Sequence, residues 1–403
     1  MQIENFALVS LPIMFGLGWL ASTWDKRLED AEDEIDRAKK QKSTFRGLNL
    51  LLSEQPDKAI DALVEVAQLD PETVELHFAL GSLFRRRGET ERAIRVHQHL
   101  VNRTDISTRD KDHAAYELGR DFLRAGLLDR AELSLNRVGR GRYSEQAKTA
   151  LLEMYQIEKD WQKAIISAKE LTNSKDQNYP HQIAHFYCEI TVEALRRKEI
   201  QAAQTAVNKA IEIVPDHIRG IILQGELMMA MQRPQEAIEI WKKIEGHHPA
   251  YLPLIADRWM KAYQDCDNAF EGLHMLKKNL DQHAGGELLE QVFKYVIEIE
   301  GPEIAEQLMG AVLLHTPSLI AMQKRFEAQY LIAQKAHQEE RASDIKASLD
   351  LLKQRTNILV KYTCSSCGFR ARRFYWQCPG CNHWDVYSPK RNEGFSPNTT
   401  PSM

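Results

Sequence analysis

The chain has 403 residues, of which 27% are charged and 43% hydrophobic, with a formal net charge of −4. That balance is ordinary for a soluble helical protein and argues against a global nucleic-acid binder, which would be strongly basic. Of six cysteines, four crowd into the 18 residues from Cys364 to Cys381, which excludes the spread disulfide framework of a small secreted protein and points to a reducing compartment.

The first element in chain order is the uncharged stretch Phe6–Trp24. Nineteen helical residues reach about 28 Å, close to the ~30 Å hydrocarbon core of a bilayer. A cleaved signal peptide fits less well. No Lys or Arg precedes the stretch, Glu4 is acidic, and no small-x-small cleavage site follows. Trp19 and Trp24 suit an interfacial belt. Lys26, Arg27, Arg37, Lys39, Lys40 and Lys42 follow closely and place the C-terminal body on the cytoplasmic side. Residues 1–24 are therefore expected to form a single transmembrane anchor, and the charged residues 25–43 a linker helix with its acids first.

From residue 44 to 317 the sequence repeats. Gly47–Ala59–Pro71, Gly81–Ala93, Gly119–Ala131 and Gly225–Ala237–Pro249 share a twelve-residue interval between small residues, and Ala203–Pro215 and Ala305–Pro317 share the second interval. Ala59, Ala93, Ala131, Ala164, Ala203, Ala237, Phe270 and Ala305 recur every 33 to 39 residues, with Phe270 standing in the alanine slot. A period near 34 with small residues at fixed offsets marks paired helices that cross closely, and Pro closes each unit because it cannot continue a helix. About eight pairs are expected, their second helices starting near Pro56, Glu89, Asp129, Trp161, Ile200, Pro234, Asp267 and Pro302. In the first helices of the fourth, seventh and eighth units, Leu152, Arg258 and Phe293 replace the small residue. Extra residues at Asn102–Asp112 and Asn173–Pro180 read as loop insertions. The small–small–Pro pattern resembles the tetratricopeptide repeat, and the fold class expected is all-α: a tetratricopeptide superhelix. That resemblance implies a scaffold binding peptides or proteins along a concave face. Residues 318–358 continue helical and are expected to cap the array.

Cys364-Ser-Ser-Cys367 and Cys378-Pro-Gly-Cys381 then supply four thiolates for one tetrahedral ion, zinc or iron. A closed four-cysteine site is structural rather than catalytic. Gly368 and Asn382 follow the two pairs where a positive φ is needed. Phe374-Tyr375-Trp376 has strand character. Arg370, Arg372 and Arg373 lie among these aromatics. In so small a module, residues 359–387, the aromatics must build the core. The arginines are expected to dock the module by pairing with acids of the array. Residues 388–403 read as a disordered tail.

One N-terminal span, a tetratricopeptide array and a terminal signature Cys364-x-x-Cys367-Gly368 with Trp376-x-Cys378-Pro379-x-Cys381 together resemble the lipopolysaccharide assembly protein B family of Gram-negative bacteria, whose terminal module is rubredoxin-like. The resemblance covers nearly the whole chain. It implies a non-catalytic protein of the inner membrane that works with the AAA protease FtsH to promote degradation of LpxC, the deacetylase committing precursors to lipid A, and that answers to a membrane signalling partner. Two other readings stay open at this point: a general membrane scaffold for envelope assembly enzymes, and a zinc-ribbon nucleic-acid binder. Nothing in the sequence favours an enzyme: there is no G-x-x-x-x-G-K-[ST], H-E-x-x-H or G-x-S-x-G. His97, His99, His247 and His248 lack a partner cluster and read as surface histidines.

Overall fold

A computed structural model of the chain describes residues 73–171, 179–282, 286–358 and 362–388. The expected membrane span, the linker helix, the first helix pair with Pro56 and the tail after 388 lie outside the described residues. Among the described residues no helix is long and apolar enough to cross a membrane.

Two compact units divide at Asp160. The first holds α1 (Val74–Arg86), α2 (Thr90–Asn102), α3 (Thr108–Arg124), α4 (Leu128–Leu135) and α5 (Ser144–Glu158). The second holds α6 (Trp161–Leu171), α7 (Tyr179–Arg196), α8 (Ile200–Ile213), α9 (Ile218–Ala230), α10 (Pro234–His247), α11 (Leu252–Asp265), α12 (Ala269–Gln282), α13 (Gly286–Ile299), α14 (Pro302–His315), α15 (Leu319–Lys335) and α16 (Glu339–Ile358), followed by two short strands. The even-numbered helices are the second helices of the repeat.

Each even helix places a small residue three positions after its first. Ala93, Ala131, Ala164, Ala203, Ala237 and Ala305 are all fully enclosed there. The Ala slot expected at Phe270 is corrected: Phe270 is 68% exposed, and Gly272 fills the slot, where a Cβ would come within 2.7 Å of the Tyr263 ring. The physical reason is repeat length: α11 runs 14 residues against 13 in α9, and Gly272 follows Ala237 by two residues more than 33, so a constant 33-residue step lands two positions early. Helices α15 and α16 carry the same register, with Ala342 buried in the slot.

Four residues beyond the small slot comes a residue that fills the gap over the first helix. His97, Leu135 and Trp241 hold this position, and a Cβ on Gly81, Gly119 or Gly225 would meet them at 2.4, 2.6 and 2.2 Å. At Gly225 the reward is specific: fully buried Trp241 donates its indole N–H to the Ile222 carbonyl at 3.2 Å. A buried Trp supplies a large apolar area and needs such an acceptor for its one polar atom.

The turns between paired helices repeat as well. Gly88, Gly126, Lys198, Gln232, Asp267 and His337 all have positive φ, and the next N–H reaches back five residues, as in Glu89 N–H to Phe84 O and Arg233 N–H to Met228 O, both 2.9 Å. This is the Schellman closure of a helix C-terminus. Pro215, Pro249 and Pro317 stand two residues past the ends of α8, α10 and α14. At the first expected loop insertion most of the extra length extends a helix: α3 runs 17 residues, and α7, after the second, runs 18, against 13 in α1. Residues 172–178 of the second insertion lie outside the described residues.

His97 is corrected from surface to core. It is fully buried, and its Nδ1 lies 2.5 Å from an Asp121 oxygen. The same Asp121 accepts from Arg85 at 2.7 Å, and Arg85 also pairs with Glu117. A buried acid shared by two basic partners is satisfied rather than stranded.

Candidate metal centre and its seat

The C-terminal module is built from two copies of one turn. In the first, Gly368 N–H donates to Cys364 O at 3.0 Å and Cys364 N–H to Phe369 O at 2.9 Å; in the second, Asn382 N–H donates to Cys378 O at 2.8 Å and Cys378 N–H to His383 O at 2.9 Å. Gly368 (φ 74) and Asn382 (φ 58) hold the left-handed conformation at matching positions. That conformation is free for Gly and least costly among other residues for Asn. Strand β1 (Tyr362–Thr363) pairs antiparallel with β2 (Arg370–Ala371), and Cys364 bridges to Tyr387 and Gln377 to Trp384. The strand expected at Phe374–Trp376 is not formed. These aromatics are non-strand core residues, with Phe374 edge-on to Trp376 at 5.0 Å and to Tyr362 at 5.7 Å. Packing inward took precedence over ladder pairing.

The two turns bring Cys364, Cys367, Cys378 and Cys381 together, their sulfurs all within 4.8 Å of one another. Two edges measure 3.8 Å (Cys364–Cys381) and 3.7 Å (Cys367–Cys378). A zinc–sulfur bond of about 2.3 Å places tetrahedral sulfurs about 3.8 Å apart, so the donor set fits one closed tetrahedral ion. The surroundings favour thiolates. Cys367 N–H points at Cys364 Sγ and Gly380 N–H at Cys378 Sγ, each at 3.4 Å, and the Tyr387 hydroxyl lies 3.5 Å from Cys378 Sγ. Burial pushes the Cys378 thiol up, yet these donors outweigh it and bring it down to about 6. An ion held by four protein ligands would be structural.

The module sits on the helices of its own unit, and the charges at the seat run opposite to the expectation. Arg370, Arg372 and Arg373 are exposed, and among the described residues none of them forms an ion pair with an acid of the array. Instead the module supplies the acid: Asp385 accepts from His185 of α7 at 2.7 Å. Trp384 stacks on the same imidazole at 4.6 Å, and Trp376 stacks on Tyr251 with an interplanar angle of 2°. Arg219 of α9 lies 5.9 Å from both indole rings while its Nη2 pairs with Glu189 at 2.8 Å. The Tyr362 hydroxyl bonds Glu287 of α13.

His185, His217 and Asp385 also bring three ligand-type atoms within 4.8 Å. Their bonding reads as a hydrogen-bonded seat. His217 caps α9 by accepting from Gly220 N–H at 3.2 Å, and His185 is bonded to Asp385. Burial lowers both histidines, His217 to about 3 with the neighbouring His185 adding to the effect. Asp385 is held low despite burial by its bond from His185. None of these three was singled out in the sequence. The one signal available was Trp384-Asp385, an aromatic–acid pair immediately past the second turn with no role in the four-sulfur cluster. Cys188 and Cys266 stay apart from that cluster; Cys188 is fully buried and its thiol pushed up to about 12 by burial.

Residues 362–386 match the family described as rubredoxin metal binding domain. Lipopolysaccharide assembly protein B of Escherichia coli K12 is 29% identical over 383 residues, covering 94% of this chain and 97% of that protein. The protein of the same name from Haemophilus influenzae is 28% identical over 397 residues, covering 95% and 97%. Among solved structures, YrrB, titled a TPR protein with an unusual peptide-binding site, covers 44% of this chain and 88% of its own at a TM-score of 0.32 and 16% identity. From end to end the chain is thus similar to proteins named lipopolysaccharide assembly protein B, and its metal module matches the rubredoxin metal binding domain family.

Proposed function

We propose that this protein is a non-catalytic adaptor of the inner membrane that regulates lipopolysaccharide synthesis by presenting LpxC to the protease FtsH. The observation that carries the reading is the similarity, over 94% of the chain, to a relative named for lipopolysaccharide assembly. The physics is compatible at each step. The apolar stretch 6–24 would tether the body beside a membrane protease. The helix pairs offer a long surface to a cytosolic client. One structural ion, held by Cys364, Cys367, Cys378 and Cys381, folds the terminal module, and Trp384, Asp385 and Trp376 fasten it to α7 and α9.

Deleting residues 1–24 tests the tether. The shortened protein should keep its helical signal and lose the ability to restore LpxC turnover in cells lacking the chain. Full turnover with the soluble fragment would refute the adaptor reading. Purification from membranes that recovers lipopolysaccharide biosynthetic enzymes without FtsH would favour a general scaffold instead.

A further inference from the structure

The first unit carries a basic groove that its own acids do not neutralise. It is an open depression of about 810 Å³ between α1, α3 and α5, the first helices of three successive repeats. That volume falls in the range of ligand sites, about 300–1,000 Å³. Five arginines line it, at 85, 86, 120, 124 and 142. Arg85 is committed to buried Glu117 and Asp121. Arg120 lies 3.6 Å from Glu117 and over the Tyr116 ring. Arg86, Arg124 and Arg142 are exposed and form no ion pair among the described residues.

Like charges at i and i+4, as in Arg120 and Arg124, destabilise a helix. Here they converge with Arg86 and Arg142 on one concavity. Two glutamates of α5, Glu145 and Glu153, also line it, yet neither closes an ion pair with these arginines. Between the two walls lie Leu123 and Ala150, which are apolar, and Gln146 and Thr149, which offer polar groups of the kind a peptide backbone bonds.

We propose that this groove binds an extended acidic segment of a partner protein. The inference rests on the adaptor reading and names the chemistry its array would recognise. Carboxylates pair with the Arg86, Arg124 and Arg142 guanidiniums, which match them in a two-pronged geometry. An apolar side chain covers Leu123 and Ala150. The glutamates of α5 repel a continuous polyanion, so a nucleic acid or an anionic bilayer is a poorer fit than a segment alternating acids with apolar residues.

The test uses the full chain in detergent and a fluorescein-labelled peptide alternating glutamate and leucine, followed by fluorescence polarisation. The peptide should bind, weaken as salt rises, and lose affinity about tenfold or more with Arg124→Glu plus Arg142→Glu, since charge-assisted bonds are lost and repulsion introduced. Arg373→Glu, in the metal module, should leave binding unchanged. Equal binding of a glutamine-for-glutamate peptide, or no loss with the groove variants, overturns the site. So does equal displacement by inorganic phosphate, single-stranded DNA or phosphatidylglycerol vesicles. Binding that appears only after deletion of residues 25–42 assigns the groove to the chain's own acidic run and also overturns it. Recovery of LpxC with the groove variants at wild-type yield would refute this site alone; its absence with the wild-type chain would refute the adaptor reading.

Discussion

Replacing Trp384 by Ala tests how the metal module is fastened. The side chain is half-buried, stacks on His185 at 4.6 Å, and meets Phe186 and Trp161 edge-on at 6.0 and 6.4 Å. Truncating a fully buried Trp costs about 3–5 kcal/mol. Half-burial reduces that to about 2–3 kcal/mol, within the usual range for an anchoring aromatic at an interface. The sulfur cluster does not involve Trp384, so metal content should stay at one ion per chain. Hydrogen exchange followed by mass spectrometry is the assay. Amides of 362–388 and of α7 should exchange about 30-fold faster or more in the variant, as 2 kcal/mol corresponds to a factor near 30. Exchange in the first unit should not change. A double-mutant cycle with His185→Ala should show coupling of about 0.5–1.5 kcal/mol for the stacked pair. Unchanged exchange in both α7 and the module would refute the seat, and loss of metal would place Trp384 in the module's own fold instead.

Three further predictions address the sulfur cluster, the helix ladder and pH. Cys378→Ser should abolish stoichiometric metal by elemental analysis and expose the module to protease, because thiolate ligation and folding are coupled in small modules. Gly225→Ala should lower stability by about 1–3 kcal/mol in urea unfolding, since the new methyl meets buried Trp241, whereas Phe270→Ala should change it by under about 0.5 kcal/mol. Acidification from pH 7.5 to 5.5 should destabilise the second unit. Burial and the neighbouring His185 hold His217 at about 3 when folded, facing Asp385, His181 and Arg219. The unfolded chain takes up this proton near 6.5 and the folded chain does not, so stability is full above 6.5 and falls by about 1.4 kcal/mol per pH unit below it. His185, lowered by burial, acts in the same direction. A urea midpoint that rises or stays flat over this interval contradicts the assignment.

The helix ladder was legible because its constraint is local. Ala93, Ala131, Ala164, Ala203, Ala237 and Ala305 sit where a helix pair crosses, and the chain cannot put a large residue there. Phe270 misled because the step was held constant across a unit whose first helix, α11, is longer than α9 of the unit before. His97 was legible in retrospect, for it occupies the same position as Leu135 and Trp241, four residues past the small slot. The four cysteines and the positive φ at Gly368 and Asn382 followed from turn geometry alone. The seat did not, since His185 and Asp385 are 200 residues apart and only the folded helices bring them together. The arginines drew attention by sequence density, while the binding fell to an aromatic–acid pair that pattern reading passes over.

The most direct measurement of the central claim is the half-life of LpxC in cells that carry FtsH, with this chain removed and then restored. An adaptor predicts slow decay without the chain, fast decay with it, and slow decay again when FtsH is inactivated. LpxC decay that is the same with and without the chain would contradict the account.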